Sequence, residues 1–219
     1  MLIFDRYLSL KTEEHQLFKK AGSKLFSPAL NYYKDFIYLP FSVKIKDKKT
    51  ININPVGEKR RYSVIYKGRL LDRTTSFEKY LLVFHKEIHP SVAYSSTAIK
   101  KEKEQEYFSL GLPNTTVLQY SDSDCCIILG SGFEYRVGYL DCSFIEALQY
   151  NCIPLIVSEN RFYNGFPTVV YNPIDIMLYY NTYDNTHFGM MYELYETIRN
   201  KYPEMSVEYT TSIIKYALK

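Results

Sequence analysis

Apolar and polar positions change their rhythm along the chain at about residue 62. Beyond it, short apolar runs rich in β-branched and aromatic residues alternate with segments in which apolar residues recur every three to four positions. The apolar runs predict buried strands, which read YSVIYK, SVAYSS, TTVLQY, CCIIL, IPLIV and TVVY. Strands that are apolar on both faces and alternate with helices are typical of a parallel sheet covered on both sides. We therefore expect a Rossmann-like α/β fold over residues 61–219.

Between these runs, apolar residues recur at the spacing of a helix, which predicts a helix in each connection. The first helix is predicted from an N-cap at Ser76 to a stop near Pro90, and a polar helix is predicted to end at Gly111. Further helices are expected at CSFIEALQY, at 174–180, at 189–201 and at 206–218.

Residues 1–60 have no such rhythm and are predicted to be an N-terminal extension or connector. A short strand is expected at 2–4 and a helix at 11–21, but Pro40, Pro55 and Gly57 interrupt any longer pattern. Lysine and arginine crowd residues 44–61, and we interpret this run as a solvated connector in preference to a phosphate-tracking patch.

Composition narrows the class of protein. The net charge of the 219 residues is +3, which is too small to indicate a nucleic-acid binder by itself. No apolar run approaches the ~20 residues that span a bilayer, and no basic leader precedes the apolar start, so we expect a cytoplasmic protein. The four cysteines lack metal-ligand spacing and are interpreted as reduced core thiols.

The candidate chemistry lies where the CCIIL strand gives way to the next helix, in GSGFEYRVGYLDCSFIEALQY. The glycines either only turn the chain or allow its backbone to approach a phosphate. A nucleotide sugar needs such N–H groups for its diphosphate, a carboxylate for its ribose diol and fixed cations for its leaving group. The turn at Gly132, the carboxylate of Glu146 and the guanidinium groups of Arg69 and Arg73 supply these three elements. Glu146 in particular sits in a short helix that a parallel sheet is expected to bury, where a carboxylate needs a partner.

A resemblance to a known family rests on two short motifs. The stretch Ser131-Gly132-Phe133-Glu134-Tyr135, followed by Asp141, Glu146 and IPLIV, resembles the nucleotide-sugar half of GT-B glycosyltransferases. The similarity is greatest to the DNA α-glucosyltransferases of T-even bacteriophages, which also carry a run similar to Arg73-Thr74-Thr75-Ser76-Phe77. The resemblance covers about residues 62–157, with a looser match through the C-terminal helices.

This resemblance implies a function. It implies retaining transfer of a hexose, glucose in the first instance, from a UDP-sugar donor to an acceptor such as hydroxymethylated phage DNA, in the host cytoplasm. A glycan or a protein remains an alternative acceptor. It implies no tightly bound cofactor and no metal. The implied catalytic residues are Arg73, Glu134 and Asp141, and the implied donor-binding residues are Arg69, Lys79, Ser131, Gly132, Phe133, Tyr135, Ser143 and Glu146.

The chain departs from the family pattern at three points. Asp141 replaces a glutamate, and Glu78 stands where many members have a diphosphate-binding lysine, with Lys79 one place later. The sixty residues before the donor-like part are too few for a full acceptor domain. A second copy of the chain or a separate acceptor-domain subunit is therefore expected as a partner.

Two other classes of function remain open. The first is a non-catalytic nucleotide- or protein-binding domain derived from a truncated GT-B enzyme. The second is an unrelated α/β domain. His85 and His89 lie four apart as in a metal-binding helix, but we interpret them as cations at a helix C-terminus. No P-loop and no Gly-x-Ser-x-Gly motif supports an NTPase or an esterase.

Overall fold

The protein is an α/β structure built on parallel sheets. The computed structural model describes residues 1–4, 11–27, 36–39, 42–47, 49–51, 60–71, 73–87, 91–129, 142–157, 165–170, 172–173, 175 and 183–219. The strands are β1 (Leu2–Phe4), β2 (Lys24–Ser27), β3 (Ile37–Tyr38), β4 (Tyr62–Lys67), β5 (Val92–Ser95), β6 (Ser123–Leu129) and β7 (Ile153–Val157). The helices are α1 (Thr12–Lys20), α2 (Thr74–Phe77), α3 (Val83–Glu87), α4 (Lys101–Ser109), α5 (Cys142–Gln149), α6 (Tyr183–Lys201) and α7 (Val207–Ala217).

The larger sheet has four parallel strands in the order β5-β4-β6-β7. Alternate side chains of its central strands point to opposite faces, and both sets are buried: Val64 and Tyr66 on one face, Ile65 and Cys126 on the other. Burial on both faces explains why the strands read as unbroken apolar runs. The predicted α/β class with a parallel sheet is confirmed.

The strand order reverses direction at the centre of this sheet. From β4 the chain moves outward to β5, and it then returns across β4 to place β6 and β7 on the other side. In open α/β sheets such a reversal of strand order marks the point at the carboxyl ends of the strands where a crevice forms. This topological switch point is where ligands bind in open α/β sheets.

Two predicted strands differ in the structure. Residues 115–119 form no strand, because Val117 is 75 % exposed and the chain turns there into a 3₁₀ turn (Tyr120–Asp122) before β6. The TVVY run makes only an isolated bridge, between Val169 and Ile156 of β7. Both runs are apolar enough for a strand, but they lie at the margin of the sheet. There the chain can turn away instead of pairing with a neighbouring strand.

The predicted helices are mostly present, and two of them start earlier than expected. The helix after β4 begins at Thr74, and its N-cap is Arg73 instead of Ser76. It continues through a five-residue π-helical segment (Glu78–Leu82) into α3. Helices α4, α5 and α7 match predictions, and α6 ends as predicted but begins at Tyr183, six residues before the expected start at 189. The helix expected at 174–180 lies almost wholly outside the described residues.

The described part of residues 1–60 contains regular structure. Strands β1, β2 and β3 form a second parallel sheet in that order, and α1 connects the first two. The expected strand at 2–4 and helix at 11–21 are thus confirmed. Val43 then pairs with Ser206, which ties the connecting segment to the start of α7.

Three of the cysteines confirm the interpretation as core thiols. Cys125, Cys126 and Cys152 are buried and unpaired by disulfides. Burial raises the pKa of the Cys125 and Cys152 thiols well above the ordinary value, which disfavours the reactive thiolate.

Two buried tyrosines give a matched test of the core. The Tyr195 hydroxyl donates to the Leu148 carbonyl at 2.8 Å, whereas the buried Tyr94 hydroxyl has no hydrogen-bond partner among the residues that the structure describes. We expect Tyr195→Phe to lower the free energy of unfolding by about 0.5–1.5 kcal/mol, because it removes a buried hydrogen bond from a carbonyl that keeps only the Asn151 N–H, at 3.1 Å, as a donor. Tyr94→Phe should be neutral or stabilising by up to about 1 kcal/mol. Urea unfolding of both variants measures the difference, and a larger loss in Tyr94→Phe would show that its hydroxyl has a partner in solution.

Buried tyrosines also set the response to alkali. Burial, with the nearby charge of Glu204 adding to it, raises the pKa of Tyr38 to about 12, and burial with Glu104 raises the pKa of Tyr94 to about 12. Folded-state values above the unfolded value of about 10 make their stabilisation complete below about pH 10 and lost as the pH rises through about 12. We expect tyrosinate absorbance from these groups to appear together with unfolding. Ionisation of every tyrosine before the loss of helical circular dichroism would contradict this.

Candidate functional site

The candidate site lies at the carboxyl edge of the larger sheet, at its switch point. Strand β4 ends there at Lys67 and β6 ends at Leu129. The loop after β6 carries the predicted glycine turn, and its implied site residues lie outside the described residues: Ser131, Gly132, Phe133, Glu134, Tyr135 and Asp141. Their assigned roles stay predictions. The loop after β4 is described except for residue 72 and carries both predicted arginines.

Backbone hydrogen bonds fasten the loop after β4 to the end of the neighbouring strand. The N–H of Gly68 donates to the Ser95 carbonyl at 2.9 Å. The N–H groups of Leu70 and Leu71 both donate to the Ala98 carbonyl at 2.9 Å. These hydrogen bonds fix the backbone of the loop relative to the sheet, and so fix the positions from which its side chains extend.

Side chains add two further ties to this loop. The Tyr66 hydroxyl donates to the Arg69 carbonyl at 2.6 Å. A Cβ atom at Gly68 would lie 3.0 Å from that hydroxyl, so the hydrogen bond depends on the absence of a side chain there. Thr74 donates from its hydroxyl to the Leu70 carbonyl at 2.8 Å and joins the loop to the first helical turn.

A polar network behind the loop completes its support. Ser96 accepts a hydrogen bond from the Leu70 N–H at 3.2 Å through its hydroxyl and donates its own N–H to the Asn114 side chain at 2.9 Å. The Asn114 amide donates in turn to the Ser96 carbonyl and to the Glu104 carboxylate. Sequence reasoning missed these supports, although small polar residues directly after a strand and after Pro113 are typical turn anchors.

The helix that follows presents its positive end at the same edge. The first intrahelical bond runs from the Phe77 N–H to the Arg73 carbonyl, and Arg73 provides no side-chain cap. Arg73 therefore does not give the N–H groups of the first turn the side-chain acceptor that serine or aspartate supplies at other N-caps. Unsatisfied N–H groups and the helix dipole together favour a bound anion.

Both arginines precede this helix: Arg73 is its N-cap, and Arg69 lies four residues earlier. Arg69 is exposed and Arg73 is half-buried. Guanidinium groups stay charged at any working pH and bind phosphate oxygens through two donors. The loop thus combines two permanent cations with an uncapped helix N-terminus, which is a suitable arrangement for a diphosphate.

Two charged residues follow the arginines along the helix, and they differ in their surroundings. Glu78 accepts from Lys103 at 2.7 Å and from the Tyr107 hydroxyl at 3.1 Å, so it binds the helix to α4. Lys79 is exposed, with its ammonium 5.2 Å from the centre of the Tyr80 ring. Glu78 therefore has a structural role at the position where the family resemblance expects a lysine.

The predicted ribose-binding residue lies on α5, which follows the glycine turn. Phe144, Ala147 and Leu148 are fully buried, whereas Ser143 and Glu146 are half-buried and lie three residues apart on one face. The Glu146 carboxylate accepts no hydrogen bond from any residue that the structure describes. Glu146 is thus half-buried where the sequence suggested a largely buried position, and its assignment to the ribose stays a prediction.

Two cations of the basic segment have partners within the protein, whereas Lys44, Lys49 and Arg61 are exposed, as expected for a solvated connector. Lys46 donates to the Asn151 side chain at 2.7 Å and to the Gln149 carbonyl at 3.1 Å. Burial, followed by the nearby Arg60 charge, lowers the pKa of Lys46. Arg60 donates to carbonyls of Ser123 and Tyr150. These contacts lie near the amino ends of β6 and β7, at the edge opposite to the candidate site, so these two cations have structural partners.

Other kinds of site are absent from the described residues. They contain no group of three or more histidine, cysteine or acidic side chains placed to hold a metal ion. His85 instead lies 3.2 Å from the Leu110 carbonyl through Nε2, near the end of α3. Among the described helices, none is both long and apolar enough to cross a membrane.

The fold defines the class as a Rossmann-like α/β protein. Comparison with known proteins adds no name to this class, since neither a protein-family model nor a curated protein matches the chain. Identification beyond the fold therefore depends on the site itself.

Proposed function

We propose that the protein is a retaining GT-B-type glycosyltransferase that transfers a hexose, in the first instance glucose, from a UDP-sugar to an acceptor. The observation that carries the proposal is the loop 68–73. It lies at the switch point of the sheet, is held by backbone and side-chain bonds, and presents Arg69 and Arg73 beside an uncapped helix start. This is the chemistry that a departing nucleoside diphosphate requires.

Each implied residue has a role in this proposal. Arg73, supported by Arg69 and the helix N–H groups, stabilises the negative charge that develops on the diphosphate leaving group. Glu146 accepts the ribose hydroxyls, and Ser143 on the same face contacts the donor. Lys79, one turn further along the helix, adds positive charge.

The glycine turn supplies the remaining contacts. The backbone at Ser131, Gly132 and Phe133 approaches the diphosphate, and Tyr135 lies against the nucleotide. Glu134 and Asp141 meet the sugar hydroxyls. The accepting group is a hydroxyl of modified DNA, as in the phage enzymes that the sequence resembles, and the protein then works in the host cytoplasm.

Calorimetric titration of the folded protein with UDP and with UDP-glucose tests donor binding. We expect saturable heat from both ligands, with dissociation constants between micromolar and millimolar. Absence of heat at about 1 mM ligand, from a sample with native circular dichroism, would contradict the proposal. CDP, with the same diphosphate but a different base, is the matched control for recognition of the nucleotide.

A non-catalytic binding domain is the second candidate function. It is favoured by the small size of the first sheet, whose described strands are three, four and two residues long. Labelled UDP-glucose mixed with hydroxymethylated DNA separates the two candidates. Label in the DNA establishes transfer, whereas binding without transfer to DNA and without donor hydrolysis supports the second candidate.

A further inference from the structure

Helix α7 leaves a large part of its surface uncovered. It is amphipathic, but none of its residues is buried. Tyr209 is 38 % exposed and Tyr216 is 80 % exposed. They lie seven residues apart and therefore share one face of the helix. Two exposed aromatic side chains on one stripe are typical of protein–protein contacts.

A charged stripe runs beside the two tyrosines. Glu208 lies in the first turn of α7 and Lys215 in the last, again seven residues apart, and Lys219 follows four residues later. All three are exposed. The stripe is therefore acidic at its start and basic at its end, so it complements a second copy of itself that runs in the opposite direction.

We propose that α7 is a self-association helix that packs antiparallel against α7 of a second copy of this chain. Placing Tyr209 against Tyr216 of the second copy fixes the alignment, and the two-fold axis then sets both charged stripes on the same side. Glu208 falls opposite position 217 of the second copy, midway between Lys215 and Lys219. The aromatic contact and both sets of opposite charges are thus satisfied by one alignment.

A shallow cavity at the start of α7 supports the same alignment. It has a volume of about 380 Å³ and is lined by Asp47, Ser206 and Glu208, together with Arg199. Arg199 is already paired with Asp47 and with Glu196. In the antiparallel arrangement Lys219 of the second copy lies opposite Ser206, where its ammonium reaches the carboxylate of Glu208.

The size of this contact limits its strength. Eleven residues of α-helix are about 16 Å long, so the paired helices bury less surface than a standard interface. We therefore expect a dissociation constant in the micromolar range that weakens with added salt. The proposal is independent of the glycosyl-transfer function, because the association requires no nucleotide.

Sedimentation velocity of the full chain between about 1 and 200 µM tests the proposal. We expect a monomer–dimer equilibrium in the wild type and a dissociation constant raised at least about tenfold by Glu208→Lys or by Tyr216→Ser. Both side chains are exposed, so the folded monomer should be retained, which circular dichroism verifies. Lys201→Glu, a charge reversal at the exposed end of α6, is the matched control and should leave the equilibrium unchanged.

A mixing experiment tests the orientation of the two helices. Glu208→Lys alone and the double variant K215E/K219E alone should each be largely monomeric. An equimolar mixture should restore dimers, because each acidic stripe then meets a basic one. A wild type that stays monomeric at 200 µM, a dimer that Glu208→Lys and Tyr216→Ser leave intact, or a mixture that fails to associate would overturn the proposal.

Discussion

Replacement of Arg60 by alanine should lower the free energy of unfolding by about 3–5 kcal/mol. The Arg60 side chain is only 7 % exposed, and its guanidinium donates to the Ser123 carbonyl at 2.5 Å and to the Tyr150 carbonyl at 3.1 Å. It also lies 3.9 Å from the Asp124 carboxylate. Truncation removes these hydrogen bonds and the ionic contact in a region that the side chain had closed to water. The free energy of unfolding of a single domain is about 5–15 kcal/mol in total, so this loss is a large fraction of it.

Urea unfolding of two further variants provides the controls. Arg61→Ala removes an exposed neighbour whose guanidinium lies 5.1 Å from the centre of the Tyr62 ring, and it should cost about 1 kcal/mol or less. Arg60→Lys should fall between the two alanine variants, since a single ammonium does not reproduce the planar fork of donors. Equal midpoints for the two alanine variants would contradict the structural role of Arg60.

The second large effect is expected at Arg73, on ligand binding. Arg73→Ala should weaken UDP binding roughly 10- to 100-fold, since a charge-assisted hydrogen bond to phosphate contributes about 1.5–3 kcal/mol. Calorimetric titration with UDP measures the change. Arg73→Lys should recover part of the affinity, because it keeps the charge but not the two-donor geometry.

The matched control for this prediction is Lys86→Ala. Lys86 is an exposed cation in the last turn of α3, remote along the helix from Arg73, and its loss changes the net charge by the same amount. It should leave UDP affinity within about twofold of the wild type. If both variants lose affinity equally, the effect of Arg73 reflects overall charge, and the specific role in the leaving-group contact is wrong.

The class of fold could be predicted from the sequence because the most apolar runs all indicated the same kind of sheet. The runs that became β4, β6 and β7 are apolar on both faces, and only a doubly covered parallel sheet buries such strands. Failure came at the margin of the sheet. The TTVLQY run has strand-like composition, but Val117 points to solvent and the chain turns, which composition alone does not reveal.

The candidate site was predictable only in part. The sequence placed Arg69 and Arg73 after a strand, and the structure brings both into one fastened loop. It did not reveal that Arg73 itself is the N-cap, nor that Ser96 and Asn114 hold the loop from a different connection. Such contacts join residues distant along the chain, and periodicity reports only on near neighbours. The same limit explains why Lys46 and Arg60 were interpreted as solvated.

The π-helical segment between the first and last turns of the helix after β4 has a consequence for comparison with homologous chains. A single π turn accommodates one residue more than a regular α-helix of the same rise. Homologous chains are therefore expected to differ in length by one residue at this point while keeping the arginine before it and the apolar face after it. An alignment without gaps would then shift every position after the turn, and the offset between Glu78 and Lys79 has the size of such a shift.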